Sequence, residues 1–256
     1  MELLSQIAAE PGVARALEAR SARGILDIQA ATGIRPALLT LLAQHGPLVV
    51  VTATGRDADE LAAALATRTD PNRVAVLPAW ETLPHERLSP RADTVARRLA
   101  VFRRLAHPTS EPSNGLSSPT GEISVLVMPI RALLQPVVAG LGDLEPVALA
   151  VGDQADLTEV TKRLAAAAYT RVDMVERRGE FAVRGGILDV FPPIDDHPSR
   201  IEFWGDDVES IRRFSIADQR SLSTEDVSVW APACRELLLT DEIRAKAAAL
   251  VAEFPG

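Results

Sequence analysis

The chain has 256 residues, of which 47% are hydrophobic and 4% aromatic, and its formal net charge at pH 7 is −8. The length suits two domains, and the acidity argues against a dedicated nucleic-acid surface, because affinity for phosphate backbones comes mainly from clustered Lys and Arg. The single cysteine, Cys234, excludes an internal disulfide, and the amino-terminal residues contain no continuous apolar stretch. We therefore expect a cytoplasmic protein without a signal peptide or membrane anchor.

The first part of the chain alternates predicted helices with predicted strands. We expect helices in 2–20 (two short ones, hinged at Pro11-Gly12), in 36–44, from 57 onward and in 93–106, and strands in 48–51, 74–77 and 123–128. The uninterrupted apolar run Leu48–Val51 is typical of a strand buried on both faces of a parallel sheet. The alternation predicts an α/β layer sandwich.

One segment interrupts this domain. Residues 107–122 read HPTSEPSNGLSSPTGE and are almost without apolar side chains. Such a segment buries too little surface to offset the entropy lost on ordering, so we expect an exposed, mobile insert.

Arginine is frequent in and beside the predicted helix 93–106. This stretch carries Arg91, Arg97, Arg98, Arg103 and Arg104. Two interpretations stay open: a solvated face balanced by acidic residues elsewhere, or a contact with DNA or with another domain.

A second domain is predicted to begin near Val147, after a boundary at 140–146. It contains a helix at 157–167 and strands at about 180–184, 186–191, 199–204 and 208–214. From residue 233 onward the pattern predicts a strand at 236–239 and then a helix that starts at Thr240 or Asp241.

The strand 199–204 alternates apolar and polar residues. Ile201 and Phe203 fall on one face and are expected in the core, while Arg200, Glu202 and Trp204 fall on the other and are expected to face water. An exposed Trp beside an Arg has the composition of a binding hot spot. The alternative, a Trp covered by a neighbouring loop, stays open.

The amino-acid sequence of several stretches resembles that of a known family. The runs VRGGILDVFPP and RIEFWGDDVESIRRF resemble the second domain of UvrB and of the transcription-repair coupling factors (Mfd), and LPAWETLPHERLSPRADTVARRLAVFRRL is more similar to the coupling factors. The similarity covers about 46–232. It implies an α/β fold with a degenerate helicase-like (P-loop-type) parallel-sheet domain over 1–146, an inserted smaller α+β domain over 147–232, and a tail, 233–256, that returns to the first domain. It also implies the amino-terminal part of a longer, ATP-dependent DNA translocase.

The phosphate-binding loop that UvrB has after its first strand is degenerate here. In VVVTATGRDADEL, Gly55 matches the second glycine, but Val50 stands for the first, Arg56 for the Lys and Asp57 for the hydroxyl residue. A carboxylate there would repel phosphate, so we interpret Asp57 as a helix cap. We expect no nucleotide cofactor and no catalysis in this chain.

The resemblance also implies a partner. Arg184, Arg200 and Trp204 match the surface by which both families bind the repair ATPase UvrA, although Phe is the residue expected at 204. For Arg184, an ion pair with Glu180 or Asp189 remains an alternative. Other implied partners are the remaining domains of the full-length protein, with RNA polymerase and DNA contacted only through regions absent here. We expect a monomer without membrane contact.

The predicted function is a UvrA-recruiting module that links stalled RNA polymerase to nucleotide excision repair. The alternative is the amino-terminal part of UvrB itself, with ATP and damaged-DNA binding. Two features disfavour this alternative. The first is the degenerate loop. The second is the single Tyr of the chain, Tyr169, because the resemblance implies that UvrB binds DNA with an aromatic-rich hairpin. A third possibility, a purely structural domain, requires Trp204 to be buried.

Overall fold

The computed structural model describes residues 2–19, 25–83, 86, 88–109, 121–226 and 228–250. The chain forms two compact units: Met1–Ala79 with Gly121–Gln135, and Trp80–Thr120 with Pro136–Gly256. Both parallel and antiparallel sheets are present, so the fold is mixed α/β. Most of the predicted insert, 110–120, lies outside the described residues.

The first unit is built on a three-stranded parallel sheet with the strand order β1-β3-β2. Its elements are α1 (Glu2–Ala8), α2 (Pro11–Ala19), α3 (Arg35–Ala43), β1 (Leu48–Thr52), α4 (Gly55–Ala66), β2 (Val74–Val76), β3 (Val125–Pro129) and α6 (Ile130–Leu134). The buried face of α4 packs against alternate residues of the sheet, with Leu65 and Val127 fully buried. The two predicted amino-terminal helices meet at Pro11, and they pack on α3.

The expectation that β1 is buried on both faces is wrong. Val49 is 63% exposed, and Val51 is also exposed, whereas Val50 packs toward α4. The reason is position in the sheet, because β1 is an edge strand and an apolar sequence does not reveal which strand is central.

The second unit contains a six-stranded sheet with the order β10-β9-β8-β7-β6-β5. Its elements are α5 (Ala92–Ala106), β4 (Val147–Ala150), α7 (Leu157–Ala166), β5 (Thr170–Arg171), β6 (Glu180–Arg184), β7 (Ile187–Val190), β8 (Ser199–Trp204), β9 (Asp207–Phe214), β10 (Ser221–Asp226), β11 (Ser228–Ala231) and α8 (Asp241–Leu250). Neighbouring strands are antiparallel except for the pair β5 and β6. Strands β4 and β11 form a separate antiparallel pair.

One face of the six-stranded sheet carries the main hydrophobic core. Leu188, Ile201 and Ile211 lie in it with Leu164 of α7 and Leu99 of α5. Helix α5 thus belongs to the second compact unit, although the sequence predicted it in a domain spanning 1–146. The predicted domain borders at 146 and 232 therefore differ from the borders of the compact units, and they stay a prediction.

The predicted strand at 236–239 is not present: these residues are irregular, and Glu236 is buried. Helix α8 begins at Asp241, as expected, and the Thr240 hydroxyl accepts the Ile243 N–H at 3.2 Å. Within the described residues, no helix has both the length and the apolar composition needed to cross a membrane.

Candidate protein-binding site

The alternation of β8 sorts its side chains as the sequence predicts. Ile201 lies opposite Leu188 and Ile211 in the core. Phe203 lies opposite Val208 and is buried as well. Trp204 is 78% exposed. The predicted faces of Ile201, Phe203 and Trp204 are confirmed, and the alternative of a Trp covered by a loop is wrong.

The strand register places the predicted binding residues on the same side of the sheet. Residues directly opposite each other on paired strands share a face. Arg184 is opposite Ile187, Ile187 is opposite Glu202, and Asp189 is opposite Arg200. We call this side the outer face. It carries Arg184, Ile187, Asp189, Arg200, Glu202, Trp204, Ser210 and Arg212.

Two glycines allow the turn between β6 and β7 to lie against β8. Gly185 has a φ of 61°, in the left-handed region that favours glycine. A Cβ on Gly186 would lie 2.9 Å from the Phe203 carbonyl oxygen, so a side chain there would force the strands apart. The Gly186 carbonyl accepts the Phe203 N–H at 2.8 Å. This close backbone approach fixes the turn that follows Arg184 against β8.

Arg184 is exposed and is anchored on backbone. Its Nε and Nη2 donate to the Asp173 carbonyl oxygen at 3.2 and 2.6 Å. The proposed ion pair with Glu180 or Asp189 is not formed. Glu180 accepts the backbone N–H groups of Glu176 and Arg177, and Asp189 holds a different arginine.

Arg200 departs from the expectation that it faces water in the way Trp204 does. Its Nε and Nη2 donate to the two Asp189 carboxylate oxygens at 2.7 and 2.8 Å, and its guanidinium lies 4.6 Å from the centroid of the Phe214 ring. The side chain is 21% exposed. The hydrogen bonds to Asp189 raise the pKa of Arg200, so the guanidinium stays charged at any physiological pH. Both contacts come from neighbouring strands, which one strand's alternation does not show.

Two residues of the outer face were missed from the sequence. Ile187 is 37% exposed. The alternation of side chains along β7 was the one sequence pattern that could have predicted this exposure. Arg212 lies opposite Arg200, and its Nη1 is 4.0 Å from Glu202 Oε1. Glu202 also accepts the Ser210 hydroxyl at 3.0 Å. The outer face therefore combines a large exposed aromatic ring and an aliphatic side chain with oriented guanidinium groups, which suits binding another protein.

The degenerate phosphate loop is used to cap a helix. Thr54 precedes α4, and its hydroxyl accepts the Asp57 N–H at 3.1 Å, while the Asp57 carboxylate accepts the Thr54 N–H at 3.2 Å. Arg56 pairs with Glu60 one turn later. The interpretation of Asp57 as a helix cap is confirmed. Its negative charge occupies the helix end that binds phosphate in nucleotide sites.

The basic helix α5 uses part of its charge internally. Arg98 is fully buried, its Nε donates to Glu236, and its guanidinium lies 5.1 Å from the Trp80 ring and 5.4 Å from the Phe102 ring. Arg103 donates to the Leu144 carbonyl oxygen at 3.3 Å. Neither of the interpretations left open by the sequence applies to Arg98, because it is buried within the second unit, and for the other arginines both interpretations stay predictions.

Cys234 has no features of a nucleophile. It is buried, and burial raises the pKa of its thiol to about 12, so it stays protonated at neutral pH. Among the residues that the structure describes, no group of three His, Cys, Asp or Glu side chains is arranged to hold a metal ion.

The comparisons with known proteins agree with the geometry. Residues 147–234 match the UvrB interaction domain family, a range that contains the whole six-stranded sheet. The transcription-repair-coupling factor of Mycobacterium tuberculosis is 53% identical over 232 residues, which are 90% of this chain and 18% of that protein.

More distant relatives match a smaller share of the chain. The protein of the same name from Myxococcus xanthus is 38% identical over 213 residues, covering 80% of this chain and 17% of that protein. The Escherichia coli protein is 31% identical over 190 residues, covering 73% of this chain and 15% of that protein. The chain thus spans less than a fifth of the length of these relatives. The chain belongs to the family of the transcription-repair coupling factors, and it carries their UvrB-like region.

Proposed function

We propose that this chain is the UvrA-recruiting module of a transcription-repair coupling factor and that the outer face is its binding surface. The observation that carries the proposal is Trp204, which is 78% exposed and shares the outer face with Arg184 and Arg200. The match to the UvrB interaction domain over 147–234 supports this assignment.

The exposure of Trp204 is the strongest argument for a partner. A Trp side chain that mostly contacts water contributes little to the stability of the fold. Burying it in a complex instead removes a large apolar area from solvent. Trp and Arg are also enriched among the residues that dominate binding free energies. The outer face provides both residue types on rigid strands.

The rest of the proposal concerns the role of the chain in the larger protein. The arrangement we propose is a degenerate helicase-like domain, an inserted UvrA-binding domain and a tail that returns to the first domain. Stalled RNA polymerase and DNA are then contacted by other regions, and this chain contributes recruitment without catalysis, as a cytoplasmic monomer. Glu236, in the predicted tail, contacts Trp80 and Arg98, which supports the return of the chain to residues before 146.

Replacing Trp204 by alanine should weaken the binding of purified UvrA by about 2 kcal/mol or more, since the ring is a candidate hot spot. Arg184→Ala should weaken binding as well, because its exposed guanidinium is fixed by the Asp173 carbonyl and belongs to the same outer face. Isothermal titration of UvrA into each variant measures the effect. The matched control is Leu134→Ala, which removes an equally exposed apolar side chain from α6 in the other unit. Unchanged affinity for Trp204→Ala would refute the assignment of the interface.

The alternative of a UvrB-like nucleotide site makes a different prediction. We expect no heat of binding when magnesium-ATP is titrated into the protein, because the Asp57 carboxylate caps α4 where phosphate would lie. Arg56, which takes the place of the phosphate-binding Lys, is paired with Glu60. A dissociation constant in the low micromolar range, near −8 kcal/mol, would contradict this prediction and favour the alternative.

A further inference from the structure

Arg200 is held on two sides by other residues of the second unit. Asp189, directly opposite on β7, accepts both the Nε and the Nη2 hydrogens at 2.7 and 2.8 Å. Phe214, at the end of β9, lies under the guanidinium with its ring centroid 4.6 Å away. A guanidinium fixed along one edge and one face has little rotational freedom left.

The opposite edge of the same guanidinium has donors to spare. An arginine side chain has five N–H groups, and the contact with Asp189 uses two. Within the described part of the chain, Nη1 makes no hydrogen bond, and the side chain remains 21% exposed. Nη1 and the second hydrogen of Nη2 form an end-on fork, whose spacing matches the two oxygens of a carboxylate.

We propose that Asp189 is a positioning residue for UvrA binding: it holds Arg200 so that the Nη1–Nη2 fork meets an acidic side chain of the partner. This inference rests on the proposed function of the outer face. Asp189 itself is 3% exposed, so it acts through Arg200 and does not touch the partner. Pre-organising a donor in the free protein removes an ordering cost that binding would otherwise carry.

Stability alone is a weak reason for this ion pair. A buried ion pair contributes little to stability beyond what well-packed apolar residues of similar volume provide, because removing both charges from water is costly. The outer face already has an apolar cluster beside the pair, formed by Val175, Ala182, Phe191 and Phe214. The pair differs from such residues in that it orients a charged, partly exposed guanidinium.

The test is a double-mutant cycle on UvrA affinity, made with Asp189→Asn, Arg200→Ala and the combination of both. Asn keeps the shape of Asp189 but loses the charge and one of the two acceptor oxygens. We expect Asp189→Asn to lower the affinity about tenfold, equivalent to about 1.4 kcal/mol, and to have no further effect when Arg200 is already Ala. The control is Glu159→Gln, which removes a carboxylate paired with Lys162 on α7, the helix that packs on the other face of the sheet.

The outcomes separate the inference from the proposed function. If Trp204→Ala and Arg200→Ala weaken binding while Asp189→Asn does not, or if the losses of Asp189→Asn and Arg200→Ala multiply, the positioning role is overturned and the interface stands. If none of the variants changes the affinity, the interface fails as well. Should Asp189→Asn not fold, Arg200→Lys decides: it keeps the charge without the fork, so wild-type affinity would overturn the inference and a loss of about tenfold would support it.

Discussion

Replacing Arg98 by alanine is expected to lower the free energy of unfolding by about 3–5 kcal/mol, because it leaves a buried carboxylate without its cation. Arg98 is fully buried, and Glu236, to which its Nε donates, is only 8% exposed. The Trp80 indole N–H also donates to the same Glu236 oxygen, at 2.9 Å. The substitution also removes the contacts of the guanidinium with the rings of Trp80 and Phe102.

Urea denaturation followed by circular dichroism measures this loss. The matched control is Arg97→Ala, one position earlier on α5, where the side chain is exposed and should contribute less than about 0.5 kcal/mol. A double variant, Arg98→Met with Glu236→Leu, removes both charges and should recover much of the loss. Equal stability of Arg97→Ala and Arg98→Ala would show that the buried pair does not hold α5 to the segment after β11.

Replacing Ile201 by alanine is expected to cost about 2–5 kcal/mol of stability, because Ile201 is fully buried between Leu188 and Ile211. Phe203→Ala should cost a similar amount. Trp204→Ala, at the next position, should change stability by less than about 0.5 kcal/mol, since the ring contacts mostly water.

Thermal and urea unfolding of these three variants compares core and surface along a single strand. The comparison is also a control for the binding experiment. If the Trp204 variant stays folded, a loss of affinity for UvrA cannot be caused by unfolding. If Trp204→Ala destabilises the protein as much as Ile201→Ala, Trp204 is a structural residue. The binding surface would then have to be assigned elsewhere.

The expected effect of Arg200→Ala changes with the structure. From the sequence, this variant should fold normally, since Arg200 shares its face of the strand with Trp204. The contact with Asp189 shows that removing Arg200 leaves a carboxylate that is 3% exposed without its partner, so some loss of stability accompanies any loss of binding. For this reason Trp204→Ala and Arg184→Ala are the cleaner probes of the interface.

The sequence by itself determined those features that depend on neighbours along the chain. The period-2 alternation of β8 sorted Ile201 from Trp204, because successive side chains of a strand point to opposite faces. The carboxylate of Asp57 at the start of a predicted helix identified it as a helix cap, and its contact with Thr54 in the structure spans only four residues. The sequence motifs of the second domain identified the family. The resemblance to that family then indicated the three residues proposed for the interface.

The tertiary structure alone decided the features that depend on residues far apart in the chain. Arg98 and Glu236 are 138 positions apart, so a run of arginines on α5 did not reveal that one of them is buried. The exposed face of β1 followed from its place at the edge of the sheet. Asp189 and Phe214 hold Arg200 because strand pairing sets them beside it, and no periodicity within one strand specifies which residues its neighbours present.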